Sequence, residues 1–353
     1  MPLSSADLDH VLAHTRDDWR ALAGGRLFVT GGTGFFGKWL LETFAHANRE
    51  LQLDAEAVVL TRNAAAFGRA APHLAALGEI ELVEGEITGF DFPPGEFSHV
   101  VHAATPTSAA LNDLSPFALI DTSINGTRRV LEFAHAKDVA ALLFTSSGAV
   151  YGPTRSGEAG AARTAIAETL ATGPDLGNPR NAYAESKRLA EVMCAVAAEQ
   201  YGLPVRIARC FAFVGPYLPL DQHFAIGNFI GNALRGEDIH IRGDGRAVRS
   251  YLYAADLAIA LWTLLFRGRP GETCNIGSPE ALSIGELAHA VVQAVAPHLR
   301  VEIAGAVVPG LDYYVPDTQR FDRQHGPQVR IGLTEAIRRT YAFHAPAHVR
   351  QAH

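Results

Sequence analysis

The sequence predicts an α/β protein organised around a doubly wound parallel sheet, and three observations carry that prediction. Short apolar runs alternate with helical patterns over roughly the first 215 residues, as in a parallel sheet covered on both faces. A glycine turn, TGGTGFFG at 30–37, separates the first strand from the first long helix. The pattern then loosens: PYLPLDQHF, RGDGRAVRSY and VPGLDYYVPD are loop-like, the mark of a smaller part interleaved with the first.

Taken in order, residues 3–23 read as an N-terminal helical extension. RLFVT (26–30) is the first strand, and a helix runs from Phe36 to about Ala47. AEAVVLTR (55–62), IELVEGEI (80–87) and SHVVHAA (98–104) are the second, third and fourth strands. Residues 115–137 form a long helix, with Pro116 suited to its first turn. AALLFTSS (140–147) is the fifth strand, and residues 181–202 a helix stopped by Gly202 and Pro204. LPVRIARCFAFVG (203–215) is the sixth strand. Residues 153–180, rich in Gly, Ala, Thr and Pro, read as an exposed excursion. The domain boundaries follow: 1–24 the extension; 25–214 with about 246–274 the sheet domain; 215–245 and 275–353 the smaller C-terminal domain.

Composition excludes several classes. Within 353 residues no apolar run approaches the length of about 18 that a membrane span needs. The N-terminus is acidic and helical in pattern, unlike a signal peptide. A formal charge of −7 speaks against a nucleic-acid footprint. Cys194, Cys210 and Cys274 form no CxxC and read as reduced thiols of a cytoplasmic protein. The 15 histidines show no zinc-type spacing, so no metal is expected.

Three groups carry chemistry. Gly31, Gly34 and Gly37, between a strand and a helix, allow close approach of backbone to a pyrophosphate at the helix N-terminus, the Rossmann-type dinucleotide arrangement. Tyr183 and Lys187 are four apart and share a helix face. An ammonium beside the phenol favours phenolate; moving a pKa of about 10 to neutrality asks for roughly 4 kcal/mol. Ser147 supplies a hydroxyl to the oxygen that Tyr183 protonates or deprotonates. At the end of the second strand, where an NAD binder places an acid, the chain has Leu60, Thr61, Arg62 and Asn63. Arginine matches a 2′-phosphate bidentately, so NADP is expected over NAD.

Together these residues resemble the extended short-chain dehydrogenase/reductases, in particular the nucleotide-sugar epimerase/dehydratase family, over about residues 26–345. The resemblance implies that TGGTGFFG, with Thr33, Phe35 and Phe36 among its glycines, holds the cofactor. It implies that Glu86 and Ile87 flank adenine and that Ala103 and Ala104 line the nicotinamide side, with Thr105 and Ser147 on substrate. Asn125-Gly126-Thr127 matches the family's helix motif. Ser147, Tyr183 and Lys187 would be catalytic, Tyr183 and Lys187 also touching cofactor. GDGRAVRSYLYAADLA (243–258) implies Arg249 on a sugar-nucleotide diphosphate. A nucleoside-diphosphate sugar as partner, a substrate-binding C-terminal domain and a homodimer are implied likewise.

Departures narrow the reaction. Dehydratases of the family carry an Asp-Glu pair after the hydroxyl residue, and decarboxylating relatives a Glu; this chain has Gly148 and Ala149. Ala212 stands where the family's sixth strand carries Asn, and the stretch from Ser147 to Tyr183 is long. The first reading is a 4-keto-sugar-nucleotide reductase using NADPH, tilted by Arg62. A nucleotide-sugar 4-epimerase stands beside it, and a non-catalytic binding protein is the reading of another class. Tyr313, Tyr314 and His223 read as packing or surface residues, Arg246 as solvated, Ser146 as a neighbour of Ser147, and Asp256 as a cap or functional group.

Overall fold

The computed structural model describes residues 1–104, 116–152, 155–156, 164–222, 224–307 and 310–351. Strands β1 (Arg26–Thr30), β2 (Glu56–Thr61), β3 (Ile80–Glu84), β4 (His99–His102), β5 (Ala141–Ser147), β6 (Val205–Cys210) and β7 (Thr273–Ile276) form one sheet in the order β7-β6-β5-β4-β1-β2-β3. The first six pair in parallel, with Val29 opposite Val59 on one side and Val101 on the other. Every residue of β5 is buried, as expected of a strand covered on both faces. The order reverses at β1: β2 and β3 extend one way, β4 to β6 the other. The carboxyl ends of β1 and β4 therefore border the crevice where doubly wound sheets bind ligands.

Two compact units divide the chain. The first comprises Met1–Gly152, Gly173–Cys210 and Ala258–Cys274; the second comprises the described residues within Pro153–Thr172, Phe211–Leu257 and Asn275–His353. Unit 1 is filled by an aromatic cluster in which Phe28 packs on Phe90, Phe97 and Phe133, centroids 4.4–6.0 Å apart. Its N-terminus is α1 (Ser5–Thr15), capped by the Ser4 hydroxyl, followed by a 3-10 turn at Asp18–Leu22. Trp19 is fully buried, its ring 4.6 Å from Trp262 and 5.3 Å from Phe266, and its indole N–H donates to Thr15 Oγ1 at 2.9 Å. The extension is thus part of the core. Helices α2 (Phe35–Leu51), α3 (Pro116–Ala136) and α4 (Ala182–Tyr201) follow, and Gly202 ends α4 in the left-handed region at φ +66°.

In unit 2 the two-residue strand Val248–Arg249 lies between Leu282–Ser283, antiparallel, and Leu311–Tyr314, parallel. Ser283 and Glu286 form a capping box on the helix Ile284–Val295. The expected sixth strand, 203–215, breaks after Cys210. The Phe211 N–H turns to Ile276 O at 3.0 Å, and Phe213–Val214 pairs with Leu252–Tyr253. Within 153–180, the described residues 169–180 are exposed as expected except Pro174, whereas 165–168 are buried or half-buried. Ile166 is buried, its N–H donating to Val315 O at 2.9 Å and its carbonyl accepting from Asn275 Nδ2 at 2.7 Å. No helix of the described residues is long and apolar enough to cross a membrane, and among them no group of three or more His, Cys, Asp or Glu side chains is placed to hold a metal.

Candidate active site

The glycine turn is built for close approach. Gly31 sits at φ +75°, and a Cβ there would lie 2.5 Å from the Ala103 carbonyl and 2.6 Å from Ala104 N. A Cβ on Gly37 would meet Gly31 O at 2.3 Å, so the helix starts against the turn. Gly34 caps α2 without a side chain and is exposed. Thr33, Phe35 and Phe36 are half-buried, the two rings 5.6 Å apart. The result is a side-chain-free turn at a helix N-terminus, facing the Ala103–Ala104 peptide. That donor set suits a dinucleotide pyrophosphate.

Arg62 follows β2, exposed, with no hydrogen bond or ion pair among the described residues. Glu86 and Ile87 lie beyond the end of β3. Glu86 is exposed, whereas Ile87 is 7% exposed and packs on Gly126. Asn125 turns to Asp121 on the surface of α3. Thr105 and His223 lie outside the described residues.

Ser147, Tyr183 and Lys187 are brought together. Ser147 ends β5 and is buried; its Oγ accepts from Ala149 N at 3.2 Å, and its hydroxyl acts on the Tyr183 phenol in the sense of lowering its pKa. Tyr183 opens α4, half-buried. Lys187, one turn on, is buried; its Nζ donates to Thr145 O at 2.6 Å and stands 4.7 Å from the Phe144 ring. Burial draws the Lys187 pKa down to about 8, against the pull of Cys210, Cys194 and Glu191. The expected depression of the phenol is not found. Burial raises the Tyr183 pKa, the Ser147 hydrogen bond opposes the rise, and Lys187 is not among the causes, its ammonium being directed at the β5 carbonyl. Tyr183 is accordingly a neutral phenol at pH 7.

Two networks around these groups, one buried and one partly buried, escaped the sequence reading. In the first, His102 contacts Thr30 Oγ1 through Nδ1 at 2.8 Å and Thr127 Oγ1 through Nε2 at 3.0 Å. Burial and the Lys187 charge hold its pKa near about 3. In the second, Glu191 accepts from Ser146 Oγ at 2.5 Å and from Arg209 at 2.6–3.2 Å, while Arg209 Nη1 donates to Tyr151 Oη at 2.9 Å. Ser146 is therefore an anchor, and not merely the neighbour of Ser147. Only the i,i+4 spacing of Lys187 and Glu191 hinted at this from sequence.

In unit 2, Arg249 is already engaged: Nη2 pairs with Asp312 Oδ2 at 2.6 Å and Nη1 donates to Val248 O at 2.9 Å. Tyr313 packs with Val248 and Val315, and the Tyr314 ring lies tilted against Phe211, centroids 4.7 Å apart. Asp256 is fully buried and accepts the Arg330 and Ile331 N–H groups at 2.8 Å, a structural tie. Arg246 pairs with Asp244 at 3.0 Å. A cavity of about 520 Å³ is lined by Asn228, Asn232, Arg235, His240 and Arg242 among others. Arg242 is exposed and has no partner among the described residues.

Comparison with known proteins identifies a family and structures of like fold. The sequence model of the NAD dependent epimerase/dehydratase family matches residues 27–277. UDP-glucuronic acid decarboxylase 6 of Arabidopsis thaliana is 28% identical over 319 residues, 88% of this chain and 86% of that protein. The fold resembles that of a Thermotoga maritima UDP-glucose 4-epimerase with UDP-glucose (TM-score 0.75, 22% identity, 91% of this chain and 99% of that one). It also resembles a Bacillus cereus UDP-glucuronic acid 4-epimerase in complex with UDP-glucuronic acid and NAD (TM-score 0.74, 19% identity, 93% and 100%).

Proposed function

We propose a reaction from one premise: the chain belongs to the NAD dependent epimerase/dehydratase family. It acts on a nucleoside-diphosphate sugar at C4, and the reading its geometry supports best is reduction of a 4-keto sugar nucleotide with NADPH. The observation that carries this is the Ser147–Tyr183–Lys187 cluster with Gly148 and Ala149, and no carboxylate, directly after Ser147. Gly31, Gly34 and Gly37 would hold the pyrophosphate of a nicotinamide dinucleotide, which would supply the hydride.

The rest falls to the chain. Gly31, Gly34 and Gly37 admit the pyrophosphate, and Arg62, exposed and without a partner among the described residues, offers a bidentate partner to a 2′-phosphate. Ala103, Ala104, Glu86 and Ile87 would flank the two rings. Tyr183 holds the proton that a forming C4 hydroxyl needs; burial keeps that proton in place at neutral pH. Ser147 bonds the phenol and orients the sugar oxygen beside it. Lys187 keeps a positive charge near that oxygen below about pH 8. Arg249, released from Asp312, or Arg242, without a partner among the described residues, would take the diphosphate. A homodimer fits the stripe of exposed Leu189, Val192 and Val196 on α4, and sedimentation tests it.

Epimerisation at C4 is the second reading, favoured by the two solved 4-epimerases of like fold and served by the same side chains. The decarboxylase relatives favour carbon dioxide release, but the chain lacks the acid that such relatives carry after the hydroxyl. Incubation with a 4-keto-6-deoxy sugar nucleotide should consume NADPH one for one. An ordinary hexose nucleotide giving a C4 isomer of unchanged mass would instead establish epimerisation. A product lighter by water or by carbon dioxide overturns both.

A further inference from the structure

The hydrogen bonds around His102 run in one direction only. Thr127 Oγ1 donates its single proton to Ser123 O at 2.6 Å, so toward His102 it can only accept. The Nε2 atom, 3.0 Å away, must therefore carry the imidazole proton. Nδ1 is then the acceptor, and the Thr30 hydroxyl, 2.8 Å from it, is the donor. With its proton used, Thr30 Oγ1 offers lone pairs to the Ala104 N–H, 3.3 Å away. The chain reads Ala104 N–H to Thr30 to His102 to Thr127 to the α3 backbone. His102 is 2% exposed, Thr30 0% and Thr127 1%, so none of these three side chains has water as an alternative partner.

This chain ends on the peptide that the glycine turn touches. Ala103 and Ala104 lie against Gly31 at the carboxyl ends of β1 and β4, and the Ala103 N–H also bonds Thr30 O at 3.1 Å. We propose that His102 is a positioning residue: a neutral imidazole, fixed as the Nε2–H tautomer, that aims the Thr30 hydroxyl and through it sets the Ala103–Ala104 peptide facing the cofactor. The functional part of this inference rests on the dinucleotide reading of the glycine turn; the geometric part does not. A buried histidine serving as a general acid or base would need two accessible protonation states. Here both ring nitrogens are committed, and burial beside Lys187 keeps the ring neutral throughout the working pH range.

The two halves of the ring can be replaced separately. His102→Asn puts an amide oxygen near the Nδ1 position and keeps the acceptor for Thr30. His102→Gln puts an amide nitrogen near the Nε2 position and keeps only the donor to Thr127. Thr30→Val removes the hydroxyl with little change of shape and guards against variants that fail to fold. Thr30→Val and His102→Gln should each weaken cofactor binding by calorimetric titration about tenfold, the value of one buried hydrogen bond. Both should also speed amide hydrogen exchange at Ala104. His102→Asn should stay near wild type in both measurements. The positioning role is overturned if Asn and Gln variants behave alike, or if Thr30→Val leaves Ala104 exchange unchanged. If the wild type binds neither NAD nor NADP, the cofactor reading falls, while the Ala104 exchange pattern still decides this one.

Discussion

Two polar clusters sit one helical turn apart in unit 1 and are solved in opposite ways. Ser146 and Ser147 are adjacent on β5 and so leave the strand on opposite faces; Lys187 and Glu191 are four apart on α4. Around Ser146 every charge meets its counterpart: Glu191 accepts from Ser146 and from Nε and Nη2 of Arg209, and Arg209 Nη1 reaches Tyr151. Burial works against the Arg209 charge, and the Glu191 bonds more than overcome it, so its pKa rises. Around Ser147 burial wins. Lys187 is drawn down to about 8, and Tyr183 is pushed up. Compensation fixes the first cluster in one protonation state, which suits a structural anchor. Imbalance leaves the second with protons it can move, which suits chemistry.

The sharpest break in this contrast is Glu191→Ala. It strips Arg209 and Ser146 of their shared partner and leaves a half-buried guanidinium bonded to Tyr151, a loss below the roughly 3–5 kcal/mol of a fully buried pair. Denaturant unfolding reads it directly, and a loss below about 1 kcal/mol would show that the pair is not the anchor.

Tyr183→Phe should invert that outcome. The phenol is half-buried and its packing survives, so stability should hold while turnover falls about 10²- to 10⁴-fold. Near-normal turnover would end the assignment. Lys187 adds a pH signature. Its cation is present below about pH 8 and lost above, so turnover should decline on the alkaline side, and Lys187→Met should lack that limb. The linkage sign is independent of catalysis. The folded-state pKa lies below the unfolded value of about 10.4. Between about 8 and 10.4 the unfolded chain therefore binds more protons, and this residue's contribution to stability rises with pH over that window. In Lys187→Met the rise should vanish from the unfolding curves.

Arg62 lies away from both clusters and tests affinity alone. Arg62→Ala should cost about 1.5–3 kcal/mol, roughly 10- to 150-fold, in NADP binding and little in NAD binding. Equal affinity of the wild type for the two cofactors would remove the reason for preferring reduction.

What sequence disclosed follows the range of the interactions. Strand and helix positions came from local periodicity, and most ends fall within one to four residues of those expected, as for β1 at Arg26–Thr30 and α4 at Ala182–Tyr201. Tyr183 and Lys187 were legible because four residues is a helical turn. The break after Cys210 was not, because the apolar run continues while the pairing partner changes to Leu252–Tyr253. The His102 network joins residues 72 and 25 apart, and Asp312 meets Arg249 across 63; no local pattern encodes either. The Tyr183 pKa was misjudged for the same reason: the effect of a neighbouring ammonium follows from spacing, whereas desolvation depends on everything packed around the phenol.

The finest test of the contrast lies in the adjacent serines. Ser146→Ala removes one of the bonds to Glu191, and Arg209 keeps the carboxylate engaged at 2.6–3.2 Å. No charge is left alone. The loss should therefore fall at or below the roughly 1.5–3 kcal/mol of a hydrogen bond to a charged group. Turnover and its pH profile should stay at wild-type values, because Ser146 points away from Tyr183. Unfolding and initial-rate measurements on the same preparation read both. A drop in turnover comparable to that of Ser147→Ala, with stability preserved, would mean that the two faces of β5 are not separate in function and that the Glu191 cluster belongs to the reacting groups.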